Sequence, residues 1–172
     1  GIGGKALQLI GVMDNDFDDV TIFNTGTSTN SASLTIDRYP NSKDGSNANT
    51  FRRLHIEGVY KWFDISTNSR HIYFLWSKFE VQTVPSTIKD ALGVIFSDLE
   101  ISAMGRGSDF SIVVSSTGVY SPSPIEFNNP VLIDNGDGNF IQNLSPNTKI
   151  RIKNPNCRNM RTLAKGYNFK II

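Results

Sequence analysis

Cysteine is almost missing from this sequence. Cys157 stands alone in 172 residues, so neither an intrachain disulfide nor a cysteine metal cluster can form. Histidine is nearly as scarce: His55 and His71 each fall inside an expected strand, no metal-ligand spacing joins them, and both read as structural. Long apolar runs are missing too. The longest, such as Ile72 to Trp76, fall far short of the roughly 20 residues a membrane span needs, so no span is expected. The chain opens Gly-Ile-Gly-Gly rather than with Met and has no basic-then-apolar signal segment, as a processed or shortened product would. There is no repeat at a fixed period and no long linker, so residues 1–172 are expected to form one domain. A domain of that length can bury about 70% of its unfolded surface.

The sequence also lacks a Gly-rich phosphate loop, a nucleophile-elbow serine and a His-Glu zinc helix. No catalytic residue, metal or cofactor is therefore expected, and the chain does not read as an enzyme. Arg158 and Arg161 would lower the pKa of Cys157 between them, but the thiol has no evident His or Asn partner. Asp14, Asp16, Asp18 and Asp19 lie close enough to share a hard cation, yet lack the Gly and Glu that an EF-hand loop places at positions six and twelve. A solvated acidic turn and a calcium site both remain open there.

Charge, by contrast, is present and unevenly placed. Residues 1–148 hold ten Lys and Arg against all sixteen Asp and Glu, a net of −6, whereas residues 149–172 hold seven basic residues and no acid. Such a concentrated cation source is of the kind that contacts phosphate or an acidic partner.

Most apolar segments are short, rich in β-branched and aromatic residues, and bounded by Gly, Asn, Ser, Pro or Asp. Strands are expected near 5–13, 19–24, 32–38, 52–63, 70–81, 109–116, 130–134, 148–153 and 166–172. Loops are expected at "NTGTSTNS", "PNSKDGSNANT", "STGVYSPSP" and "NGDGN". That spacing predicts an all-β antiparallel sandwich or barrel. One short helix is expected over about 87–97, where Thr87 caps, Asp90 completes the capping box, and Ala91, Leu92 and Ile95 form the apolar stripe.

Residues 49–63 carry the main functional expectation. Strand alternation turns Leu54, Ile56, Tyr60 and Trp62 to a core and sets Arg53, His55, Glu57 and Lys61 on the opposite face. The next segment, "RHIYFLWSKFEV", is apolar on both faces, with Ile72, Phe74 and Trp76 opposite Tyr73, Leu75 and Phe79. Such a strand is expected to be covered on both sides by a subunit, a helix or a loop. Leu54, Ile56, Phe74, Trp76, Leu92 and Ile112 are expected in the core.

Residues 51–96 place Arg52, Arg53, Leu54, Ile56 and Gly58 ahead of the aromatic run Ile72 to Trp76, then Pro85, Ser86, Asp90, Leu92 and Phe96. This order resembles the central stretch of single-jelly-roll viral capsid (coat) proteins, those of satellite necrosis viruses and of small circular single-stranded DNA viruses. The resemblance implies a jelly roll with no catalytic residue, located in the virion and self-assembling with copies of itself into a shell. It also implies contact with a packaged single-stranded nucleic acid, mostly through phosphates. The residues assigned to that contact are Arg52, Arg53, His55, Lys61, Lys149, Arg151, Lys153, Arg158 and Arg161. Coat proteins of this kind begin with a basic arm, whereas the first 37 residues here contain only Lys5. Two further readings stay open. One is a β-sandwich attachment or receptor-binding module, a phage fibre head or secreted glycan binder with Tyr39 and Tyr120 on its loops; the other is a subunit of an extracellular filament.

Overall fold

In the computed structural model, which describes residues 5–23, 32–41, 45–66, 68–102, 110–117 and 123–172 (backbone only at 135–137), every strand pairing is parallel. The chain winds as a β-solenoid, three strands to a coil. The first coil is β1 (Leu7–Ile10), β2 (Asp16–Asp18) and β3 (Thr21–Phe23). The second is β4 (Leu34–Asp37), β5 (Thr50–Arg52) and β6 (His55–Val59). β7 (Phe63–Ile65), β8 (Arg70–Leu75) and β9 (Lys78–Gln82) form the third. β10 (Ser86–Lys89), β11 (Leu92–Ser97) and β12 (Glu100–Ser102) form the fourth. β13 (Phe110–Ser115) and β14 (Ile125–Asn128) lead into the long β15 (Val131–Asn143), which closes the fifth coil and opens the sixth. β16 (Ile150–Lys153), β17 (Asn156–Gly166) and β18 (Phe169–Ile171) finish the path.

Three stacks result. The first runs β1-β4-β7-β10-β13 onto the second half of β15, the third runs β3-β6-β9-β12 onto its first half, and β17 pairs along both halves. The second stack is a separate seven-stranded sheet from β2 to β18.

The antiparallel jelly-roll sandwich is thereby overturned, together with the helix over 87–97. Alternation and turn residues look the same in a solenoid strand as in a sandwich strand, and they carry no information on strand direction. At 87–97 the chain makes β10, turns at Asp90 (φ 53°) and makes β11, within which Gly93 has φ 64°. The Asp90 carboxylate does not cap a helix; it accepts from the amide and hydroxyl of Thr117, at 2.7 and 2.8 Å. Loop 24–31 and Tyr120 lie outside the described residues.

In-register parallel strands lie one strand spacing apart, about 4.8 Å, so like residues at equivalent positions touch like residues. Phe17, Phe51, Phe74, Phe96 and Phe127 form such a column inside the second stack, with ring centroids 4.8, 5.1, 4.8 and 4.7 Å apart. Apolar rows complete the core from the other stacks, among them Ile22, Ile56, Phe79, Ile101 and Leu132. Of the expected core residues, Leu54, Ile56, Phe74 and Ile112 are buried, Leu92 is half-buried and Trp76 is 58% exposed.

Trp76 fails the expectation because the chain turns a corner there. From the second stack to the third, each coil passes through one left-handed residue: Asp19, Arg53, Trp76, Asp98, Asn129 and Asn154, with φ between 48° and 54°. Each of these amides donates to the carbonyl of the next coil, for example Trp76 to Ser97 and Asp98 to Asn128. Asp and Asn adopt this conformation readily, whereas a bulky side chain there costs about 1–2 kcal/mol.

Candidate ligand-binding face

Two side-chain rows point outward from the third stack. One reads Thr21, His55, Lys78, Glu100, Val131, Asn156, and the other Phe23, Glu57, Glu80, Ser102, Ile133, Arg158. Strand register alone therefore brings together six polar groups from three coils. Glu80 is the hub. It accepts from Ser102 Oγ at 2.7 Å, from His55 Nε2 at 2.9 Å and from Lys78 Nζ at 3.2 Å. Lys78 also reaches Glu100 at 3.2 Å, and Glu57 lies 3.6 Å from His55 Nε2.

Partial burial pushes the Glu80 carboxyl up, but hydrogen bonds from Ser102, His55 and Lys78 outweigh it and hold the group below the usual carboxylate range. Burial likewise opposes the charge on Lys78, and its bonds to Glu100 and Glu80 overcome that and raise it. From beneath, the buried Trp62 indole donates to the Glu80 carbonyl at 3.1 Å and fixes the backbone of β9. Aromatic groups flank the cluster. Phe23, 51% exposed, meets the His55 ring edge-on at 5.2 Å, and Trp76 stands at the corner two residues ahead of Lys78.

His55, Glu57 and Glu80 also offer ligand atoms within 4.8 Å of one another, the one such trio among the described residues. Lys78 already serves as the cation beside Glu80. The four N-terminal aspartates are not a metal cluster: Asp16 pairs with Arg52 at 3.1 Å, and Asp18 and Asp19 both pair with Arg53. A dent lined by Met13, Gly45, Asn47, Asn68 and Arg70 encloses about 60 Å³, well under the ~300 Å³ at which small-ligand pockets begin.

The nine residues assigned to nucleic acid do not share a face. Arg52 and Arg53 bind the aspartates just named, His55 belongs to the Glu80 cluster, and Lys61 pairs with Asp64 at 2.8 Å. Arg151 and Lys153 both hold Glu126, each at 2.9 Å. Lys149, Arg158 and Arg161 are exposed and make no ion pair with a described residue. Cys157 is exposed as well, and partial desolvation pushes its thiol up, so the neighbouring arginines do not activate it. His71 is exposed and bonded to Asn47 through Nδ1 at 3.1 Å. Among the described residues no helix is long and apolar enough to cross a membrane.

The sequence reading missed Glu80, Glu100, Lys78 and Ser102. They lie on two strands, β9 and β12, spread over 25 residues, and only the solenoid register makes them neighbours of each other and of His55. The exposed Trp76 was hidden by the assumption of one straight strand over 70–81. No family model, curated protein or solved structure matches this chain.

Proposed function

We propose that this chain is a surface-recognition module that binds an extended neutral glycan across the outer face of its third stack. This is the attachment reading carried onto a solenoid; the shell reading rested on a jelly roll and loses that support. The observation that carries the proposal is Trp76. At a corner where the other five coils use two Asp, two Asn and one Arg, this coil places an indole in strained backbone and turns it to solvent. Backbone strain of this sort persists where function requires it.

The chemistry around Trp76 suits a polyhydroxylated strand. An aromatic face covers the C–H side of a sugar ring, while carboxylates accept from hydroxyls and Lys78 and His55 donate to them. A flat repeating face matches a polymer better than a small molecule, for which the dent near Met13 is too small. Glu57, Glu80 and Glu100 outnumber Lys78 and repel polyanions, so neutral chains are favoured. The face binds rather than cleaves. Glycoside hydrolysis needs a carboxylic acid kept protonated, and Glu80, the most enclosed carboxyl of this face, is driven the other way.

Affinity electrophoresis through gels containing a neutral glucan, a polyuronate or a sulfated glycan tests the reading. Retardation by neutral glucan, reduced in Phe23→Ala and Lys78→Ala, is expected. Retention only by the anionic polymers, or by none, contradicts it.

A further inference from the structure

Two glutamates stand opposite each other on the third stack. Glu57 of β6 and Glu80 of β9 are register partners, one strand spacing of about 4.8 Å apart. Like charges so placed repel and destabilise a sheet. Lys78 does not bridge them: its ammonium meets Oε1 of Glu80 at 3.2 Å, the oxygen that also accepts from Ser102. The second oxygen, Oε2, meets His55 Nε2 at 2.9 Å, and Glu57 Oε2 stands 3.6 Å from that same nitrogen. One ring nitrogen carries at most one proton, so it serves only one of the two carboxylates. Beyond that contact, Glu57 makes no hydrogen bond or ion pair with a described residue.

We propose that His55 Nε2, Glu57 Oε2 and Glu80 Oε2 bind a divalent transition-metal ion of the zinc class. This goes beyond glycan recognition and does not depend on it. The three residues offer ligand atoms that all lie within 4.8 Å of one another. Ligands about 2.0–2.2 Å from zinc lie roughly 3.3–3.6 Å apart in a tetrahedron. Separations of 2.9 and 3.6 Å therefore need only small side-chain shifts. One imidazole beside two carboxylates favours zinc or a neighbouring transition metal over calcium and magnesium, which take oxygen ligands. The proton on Nε2 leaves for Nδ1 or solvent as the metal arrives. Outer contacts hold the ligands in place, as metal sites require. Ser102 and Lys78 fix Glu80 through Oε1, Trp62 Nε1 holds its backbone carbonyl at 3.1 Å, and the Phe23 ring packs against His55. The three side chains are 22–45% exposed, so an ion reaches them from solvent and a fourth coordination position stays open. The two charges of the ion offset the two carboxylates and remove the repulsion between β6 and β9.

Calorimetric titration of zinc chloride into the chelator-treated full chain tests this, with Cys157→Ser as the background so that the exposed thiol takes no part. One ion per chain is expected, and excess magnesium or calcium should not displace it. His55→Gln and Glu57→Gln should each weaken binding at least about tenfold. His71→Gln, whose ring lies on the second stack, should leave binding unchanged. Circular dichroism verifies folding, and Glu57→Gln removes a like-charge pair, so the metal-free variant should be at least as stable as its parent. Cobalt(II) in the same place should give the strong visible absorption of a four-coordinate ion, lost in His55→Gln. No binding by the folded chain, binding indifferent to His55→Gln and Glu57→Gln, or displacement by calcium would overturn the inference.

Discussion

Phe74 shows what a single position contributes. It is fully buried, stacked between Phe51 and Phe96 and edge-on to Phe79 at 6.1 Å. Neighbours on both sides belong to coils whose spacing is fixed by backbone hydrogen bonds, so a hole there cannot close. Phe74→Ala is expected to cost about 3–5 kcal/mol, read by denaturant unfolding. Charged positions follow pH. Glu80 and Glu126 both sit below their usual range in the folded chain; burial opposes the shift, and Ser102, His55 and Lys78 for the first, Lys153 and Arg151 for the second, outweigh it. Their contribution is full above the unfolded carboxyl value of about 4.3 and is lost as pH falls through the folded values. Melting temperature should therefore drop on acidification below about pH 5, and Glu126→Gln should flatten that drop. An acid slope unaltered in Glu126→Gln would show that Glu126 does not contribute.

At the scale of the element, strands were legible and their arrangement was not. β4, β13 and β16 fall inside expected segments, because short β-branched runs between turn residues mark strands in any all-β fold. The segment 70–81 is two strands, β8 and β9, joined by Trp76 in left-handed backbone, which residue type gave no reason to expect. The coil repeat itself was obscured. Phe51, Phe74 and Phe96 are 23 and 22 residues apart, but Phe17 to Phe51 is 34 and Phe96 to Phe127 is 31, so inserted loops erase a fixed period. The candidate site was legible only at His55 and Glu57, which share a strand; the rest depends on register. One corner can be tested directly. Gly166 has φ 110°, and a Cβ there would stand 1.9 Å from the Asn143 carbonyl oxygen. Asn143 holds this turn by donating to Thr148 and Tyr167 carbonyls. Gly166→Ala is expected to loosen β17 and β18 while sparing β8, seen as faster amide exchange confined to the last coils; equal protection in both proteins would contradict it.

For the whole molecule, the solenoid sets stability and recognition against each other at one place. Each coil touches only its neighbours, so a strained corner destabilises locally and is tolerated if the outer face gains a function. Asp98 and Asn129 occupy the same corner in the next coils and pass a side-chain bond between them at 3.1 Å. An asparagine at Trp76 would relieve the left-handed strain and extend that ladder. Because the other tryptophan, Trp62, is fully buried, fluorescence changes on glycan addition report on Trp76. The most direct measurement is thus a paired one on Trp76→Asn: melting temperature, and neutral-glucan affinity by calorimetry. The expected result is a melting temperature raised by a few degrees, as about 1 kcal/mol of relief gives, with affinity lowered at least about tenfold, as loss of an aromatic anchor gives. A variant that binds neutral glucan as tightly as wild type would show that the exposed indole does not serve recognition, and the account of this face would fail.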